Sequence, residues 1–304
     1  MDKMKSRFPS LSCFLGVSLI IMSLAACQQK ALPSLPPSAI PIISSAMPLQ
    51  TVIPTEVRTP TLPLKPTPLS TPMVTLKPSK TLVVHNSLDQ SGKWEAYVEG
   101  SPEWTISNTS TPSLDGNALQ CSLTGGAPYS NLHCYQNLPS EPTADIFTLT
   151  LSFWFAPTTT CNNRETDSIV QALEFTMNKW YASKRYEFAL QWQNVGDGAP
   201  QWRYWNPHGT EKWAAPNPAV SECLAGQQWH TITLIGSIRD DQVYYESFVV
   251  DNQSHEMGFF VPPASAPGEA DRLAVAVQLD GNASQTSYDV HIDKMIFTAQ
   301  STQP

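Results

Sequence analysis

The chain has 304 residues, with 18 lysines and arginines against 26 aspartates and glutamates, a net charge of −8. The imbalance is concentrated after residue 80, where residues 81–304 hold 10 basic and 24 acidic side chains, a net of −14. A surface of that sign repels polyanions, which disfavours nucleic acid, teichoic acids and polyuronates and leaves neutral polysaccharides or cations as compatible partners.

The first segment is an export signal. Lys3, Lys5 and Arg7 precede an apolar run over 11–22 that is too short to span a bilayer, followed by Leu24-Ala25-Ala26-Cys27. This pattern resembles the lipobox of bacterial lipoproteins, which implies cleavage after residue 26, lipidation of Cys27 and a location outside the cytoplasm, on the cell membrane or outer membrane. Attachment to the membrane is expected through that lipid alone.

Residues 28–80 contain twelve prolines, no glycine and no aromatic side chain. Without bulky groups to bury, such a stretch cannot offset the entropy of ordering, and residues 27–80 read as a lipid anchor followed by a Pro-rich disordered linker. Dense proline favours extended polyproline II at about 3.1 Å per residue, which suits a tether.

From residue 81 the character changes to short β-rich runs bounded by Gly, Pro, Asn and Asp. One all-β domain over 81–299, an antiparallel β-sandwich, fits this pattern, with 300–304 as a tail and a monomer as the expected state. The predicted strands are 147–155, 169–178, 186–193, 201–205, 229–239, 242–251, 273–279 and 288–297. Asp240-Asp241 between two of these runs reads as a tight hairpin turn.

Cys121, Cys134, Cys161 and Cys223 remain once Cys13 leaves with the signal and Cys27 is lipidated. An even number in an exported domain reads as two disulfides, and the close ligand spacing of a zinc site is absent. Of three pairings, the sequence favours Cys121–Cys134, which flank Leu123-Thr124-Gly125-Gly126, suited to a strand reversal, together with Cys161–Cys223 in loop-like sequence.

Trp94 after a polar turn, Gly116-Asn117-Ala118-Leu119, Trp229-His230-Thr231-Ile232, Val250-Asp251-Asn252 and Asp289-Val290-His291-Ile292-Asp293 together resemble the concanavalin A-like lectin/glucanase jelly roll. The resemblance spans nearly all of 81–299 and implies two stacked antiparallel sheets. It also implies a structural Ca²⁺ between an early loop and the last strand, with Asp89 and Asp293 as its suppliers and backbone carbonyls completing the oxygen set. No other cofactor is called for.

Alternation assigns the faces. Leu173, Phe175 and Met177, and likewise Phe188, Leu190 and Trp192, are predicted to face the core. That leaves Ala172, Glu174, Thr176 and Asn178 beside Glu187, Ala189, Gln191 and Gln193 on the other face. If 201–205 pairs alongside, either Gln201, Arg203 and Trp205 or Trp202 and Tyr204 join them, and the first set is preferred; Gln278 lies in phase nearby. Trp213 is placed at the edge, with Trp180 and Tyr181 in loop sequence as extensions. Glu174, Gln191, Arg203, Trp205 and Trp213 thus form a candidate binding set for a glycan, whose hydroxyls pair with polar groups and whose C–H faces stack on indole.

Two other readings follow from the same residues. Laminarinase-type glucanases carry acids at alternate positions of one strand, whereas Glu174-Phe175-Thr176-Met177-Asn178 keeps only the first, so hydrolysis requires Glu187 to stand across from Glu174 or one place along. A polysaccharide lyase would draw on His208 and Arg203, against the sign of the domain. The last reading is a protein-recognition surface on 202–213, which predicts an exposed apolar patch there.

Overall fold

The computed structural model describes residues 81–157, 169–196 and 198–302. The signal, the linker, Cys27 and Cys161 lie outside these described residues. Within them no helix is long and apolar enough to cross a membrane.

Sixteen strands follow in order: β1 Thr81–His85, β2 Glu95–Glu99, β3 Glu103–Thr109, β4 Ala118–Thr124, β5 Asn131–Leu138, β6 Ile146–Phe155, β7 Ala172–Tyr181, β8 Lys184–Gln193, β9 Gln201–Trp205, β10 Trp213–Ala214, β11 His230–Arg239, β12 Gln242–Val250, β13 Gln253–Val261, β14 Ala264–Ser265, β15 Arg272–Asp280 and β16 Tyr288–Ser301. They form two antiparallel sheets. The first runs β13-β12-β11-β6-β16-β4-β3, with β1 beside β16; the second runs β10-β9-β8-β7-β15-β5-β2, with β14 beside β8. The fold is a β-sandwich of the jelly-roll kind.

Period-2 alternation builds the core between the sheets. Phe175, Leu190 and Trp192 of the second sheet are completely buried, as are Phe153, Phe155 and Phe248 of the first. Phe153 meets Phe175 at 4.8 Å between ring centroids, and Phe155 meets Trp192 at 5.8 Å. Burying an apolar side chain of this size stabilises by about 1.5–3 kcal/mol before entropy is counted. Because one face of each strand is committed in this way, its alternate residues are held out on the opposite face, and that constraint creates the site.

Three hairpins close through two residues with positive φ: Ala182-Ser183, Asp240-Asp241 and Asp251-Asn252. This is the twist-matched geometry that favours two-residue connections. The β7–β8 turn matters most, because it sets the register that places Glu174 opposite Gln191. Ala182 and Ser183 lack the usual Asn-Gly chemistry, and the backbone N–H of Ala182 is pinned instead by donating to Asp271 Oδ1 at 3.2 Å.

Cys121 and Cys134 are bonded, as expected. The intervening segment is no hairpin, however: β4 belongs to the first sheet and β5 to the second, so the bond ties the two layers together. Cys223 is disulfide-bonded, while Cys161 falls outside the described residues. The chain also remains in β16 through Ser301, opposite Thr81, so residues 300 and 301 belong to the sheet rather than to a tail. Trp180 and Tyr181 close β7, and Trp213 opens β10, where loops were expected.

Candidate functional site

The second sheet presents a polar face away from the core, and its register aligns residues that are far apart in sequence. One row crosses six strands as Arg203, Gln191, Glu174, Gln278, His133 and Tyr97. The next row is small: Ala189, Thr176 and Ala276 stand side by side, with Tyr135 at one end. Trp205 follows the Leu190–Tyr204 pair at the other end. A third row holds Glu187, Asn178, Ala274 and Asn137.

Small residues between two rows of longer ones leave a furrow. It comprises two adjoining depressions of about 470 and 610 Å³ that share Glu174, Glu187 and Gln278 in their walls. Four strand spacings separate Trp205 from Tyr135, roughly 19 Å. Trp213 packs against Trp205 at 5.2 Å between ring centroids. Trp180 lies under the Arg272 guanidinium at 3.9 Å.

The centre of the long row is a hydrogen-bonded chain. Arg203 donates to Gln191 Oε1 through Nε at 3.1 Å and also through Nη2. Gln191 Nε2 donates to Glu174 Oε1 at 2.8 Å and reaches Asp280 Oδ2 at 3.5 Å. From the other side Gln278 Nε2 donates to Glu174 Oε1 at 2.8 Å and to Asp280 Oδ1 at 2.6 Å. Two carboxylates are thereby held to the same amide nitrogens.

Burial pushes the Glu174 carboxyl well above its ordinary pKa, and the nearby charge of Asp280 pushes it further, against the opposing hydrogen bond from Gln191. Asp280 is raised by burial to about 6, with the Gln278 hydrogen bond and Arg203 opposing. Glu187 is also raised by burial, while Arg185, whose Nη2 lies 2.5 Å from Oε2, holds it down. The Trp205 indole N–H lies near enough to Glu187 to favour its charged form, yet it lacks hydrogen-bond geometry and stays a buried donor without a partner. Asn178 Oδ1 is likewise buried and unpartnered.

The sequence-derived set comes together. Glu174, Gln191 and Arg203 form the chain just described, and Trp205 and Trp213 pack against each other, tilted, at its end. The choice of Gln201, Arg203 and Trp205 over Trp202 and Tyr204 agrees with the structure, since Trp202 is completely buried and Tyr204 packs on the core. Glu187 does not take either position that hydrolysis with Glu174 required. It stands opposite Asn178, two same-face places from Glu174, an offset of roughly 14 Å along the strands. His208 does not line the furrow; its Nε2 lies 3.3 Å from the Pro263 carbonyl oxygen. Among the described residues no large exposed apolar side chain falls within 202–213, because Trp202 is core and the other two indoles cover each other.

Asp280 and His133 were absent from the sequence-derived set. Alternation assigns Asp280 to the same face as Gln278, but adjacency to Glu174 depends on β7 pairing with β15, which local sequence does not specify.

The two aspartates expected to supply a calcium ion do meet. Asp89 and Asp293 are both completely buried, and Met295 N donates to Asp89 Oδ1 at 2.9 Å. Asp89 Oδ2 has no partner, and burial raises the pKa of this carboxyl. Asp293 is already engaged: Oδ2 accepts from Ser113 Oγ at 2.8 Å and Leu114 N at 2.6 Å, and Oδ1 from Lys294 N at 2.7 Å. The Asp89 oxygen is left as a single open ligand position, whereas Asp293 is taken up in holding residues 113 and 114. Among the described residues no group of three or more His, Cys, Asp or Glu could hold a metal ion.

No protein-family model matches this chain, and no curated protein matches it. Solved structures do show likeness. The lectin UEA-II complexed with galactose is 7% identical with a TM-score of 0.43, over 74% of this chain and all of that one. An endo-β-1,4-glucuronan lyase from the fungus Trichoderma reesei is 14% identical with a TM-score of 0.42, over 72% of this chain and 95% of that one. A structure of carbohydrate-binding modules from the β-sandwich superfamily is 8% identical with a TM-score of 0.37, over 68% of this chain. The chain spans only 57% of that last protein's length. All three scores lie below 0.5, and the two-sheet architecture stands on the strand pairing itself.

Proposed function

We propose that the domain is a glycan-binding module, held at the cell surface by a lipid on Cys27 and a Pro-rich tether, and that the furrow on the second sheet is its binding site. The observation that carries this reading is the row Ala189, Thr176 and Ala276, which keeps a trough open between a hydrogen-bonding row and a row led by Glu187 and Asn178, with Trp205 at one end and Tyr135 at the other. Sugars fit such a site because their hydroxyls satisfy amides and carboxylates while their C–H faces lie on aromatic rings.

Hydrolysis is the second reading. A retaining glycosidase needs carboxyl groups about 5–5.5 Å apart and an inverting one about 6.5–9.5 Å. Glu174 and Glu187 start from an offset backbone, and Glu187 is engaged in an ion pair with Arg185, which supports binding over turnover.

A calcium ion bound at Asp89 Oδ2, completed by backbone carbonyls, is part of the proposal as a structural element. It would lock the loop after β1 to β16 and takes no part in glycan contact.

The test is to follow retention and released reducing ends together on neutral and aminated polysaccharides. Retention without product is expected. Product that disappears in Glu174→Gln would establish the enzyme, and absence of both signals would remove the glycan.

A further inference from the structure

We propose that the Glu174–Asp280 corner of the furrow seats a protonated amino group, so that the glycan recognised is one carrying free amines, a polyhexosamine. This rests on the glycan-binding reading of the same furrow and names the chemistry of its ligand.

The corner has a surplus of acceptors. Glu99, Glu174, Glu187 and Asp280 line one depression. Arg185 is taken up by Glu187, and the Arg203 guanidinium is forked onto the Gln191 carbonyl oxygen, so it acts on Glu174 and Asp280 by charge without pairing with either, while Glu99 faces His133, whose imidazole pKa burial lowers. The donors that reach these acids are mostly neutral amides. Both act through Oε1 of Glu174, and among the described residues none reaches Oε2. Among the described residues, Asp280 Oδ2 receives only the 3.5 Å contact from Gln191. Glu99 has Tyr97 OH at 3.4 Å and the Asn131 amide at 3.5 Å. That amide is better satisfied when turned, with its NH₂ on the carbonyls of Tyr129 at 2.9 Å and Ser130 at 3.2 Å, which leaves Glu99 the phenol alone.

A separate atom in the furrow points the same way. Asn178 is 8% exposed, lines the depression that also contains Glu174, and its Oδ1 accepts no hydrogen bond. Among the described residues the furrow's buried side-chain atoms without a hydrogen bond are the Asn178 Oδ1 acceptor and the Trp205 Nε1 donor. Desolvated carboxylates without a direct ion pair are costly, and burial raises Glu174 and Asp280 despite the opposing charge of Arg203. An ammonium brings three donors and a positive charge, and its hydrogen bonds to carboxylate are about twice as strong as neutral ones. An acetamido group on the same carbon would bring one neutral N–H donor together with a carbonyl and a methyl against acceptors, and a uronate would add a further negative charge beside the buried pair.

The experiment compares fully de-N-acetylated and fully N-acetylated chito-oligosaccharides of one length, binding to the full chain by calorimetry at pH 6 in two buffers of different ionisation enthalpy. The expected result is at least tenfold tighter binding of the amino form, with protons released as the buried acids ionise around the ammonium. Glu174→Gln and Asp280→Asn should each bring the ratio of the two affinities towards one. Equal or tighter binding of the N-acetylated form, with no proton release by the wild-type protein, would overturn the amine seat while leaving the glycan reading intact. The proton count keeps the test decisive if a variant misfolds. Spermine binding as tightly as the amino-sugar, with the same dependence on Glu174, would keep the ammonium seat and remove the sugar. Binding of no saccharide and no amine would overturn both.

Discussion

Glu174 of β7 and Asp280 of β15 are bridged by the Gln278 amide nitrogen, at 2.8 and 2.6 Å, and more loosely by that of Gln191, at 2.8 and 3.5 Å. Neighbouring strands thus bring two acids from distant parts of the sequence into one electrostatic unit, and removal of either changes the other.

The first expected consequence concerns stability and pH. Asp280 is raised by burial from 3.8 to about 6. A carboxyl whose folded pKa lies above its unfolded value binds protons more tightly in the folded state. It therefore favours folding below the unfolded pKa, and that stability is lost as pH rises through about 6. Asp280→Asn removes this penalty. Denaturant unfolding should show the variant more stable than wild type by about 2–3 kcal/mol at pH 8 and nearly equal at pH 4. A variant less stable at pH 8 would mean that the carboxylate is compensated in the folded protein.

Two tryptophans three residues apart should behave oppositely. Trp202 is completely buried, and its Nε1 donates to Glu222 Oε2 at 3.1 Å. Trp202→Ala should cost about 3–5 kcal/mol. Trp205→Ala, at the furrow, should cost about 1 kcal/mol or less and weaken glycan binding about tenfold. Thermal melts and binding isotherms of the two variants check this, and equal losses of stability would contradict the assigned faces.

The covalent link between the sheets should be worth about 2–4 kcal/mol. Chemical denaturation of a Cys121→Ser, Cys134→Ser double variant against wild type measures it. The loss should appear mainly in the midpoint, with glycan affinity retained in the folded fraction, since neither sulfur faces the furrow.

Calcium should raise the melting temperature of wild-type protein in a concentration-dependent way, as expected for a ligand that binds only the folded state. Asp89→Asn should abolish that response without changing glycan affinity. An identical rise in wild type and variant would place the ion elsewhere.

Much of this was legible in the sequence because burial writes itself as alternation. The β7 and β8 runs carry Leu173, Phe175, Met177 and Phe188, Leu190, Trp192 in strict period, and that alone fixes which polar residues face outward. The strands left unread, β1 to β5, β10, β13 and β14, lie at sheet edges or off the main strand path, except β4 and β5, each one strand in from an edge. There one face or both is wet, so polar residues such as Glu95, Glu99, His255 and Glu256 interrupt the signal. What local sequence could not supply was pairing. The β7–β8 register depends on an Ala182-Ser183 turn with no characteristic turn signature, and the β7–β15 pairing joins segments a domain apart. Those two unknowns separated a list of polar residues from the Glu174–Asp280 unit, and they also governed where Glu187 stands.

The central claim is that the furrow binds a glycan, and the most direct measurement is calorimetric titration of the purified protein with the oligosaccharide that retains it best, repeated with Trp205→Ala and Glu174→Gln. The account predicts saturable binding by wild type, weakened about tenfold or more by each substitution. Wild-type affinity in both substituted proteins, shown by their melts to be folded, would place the ligand off the furrow and contradict the account.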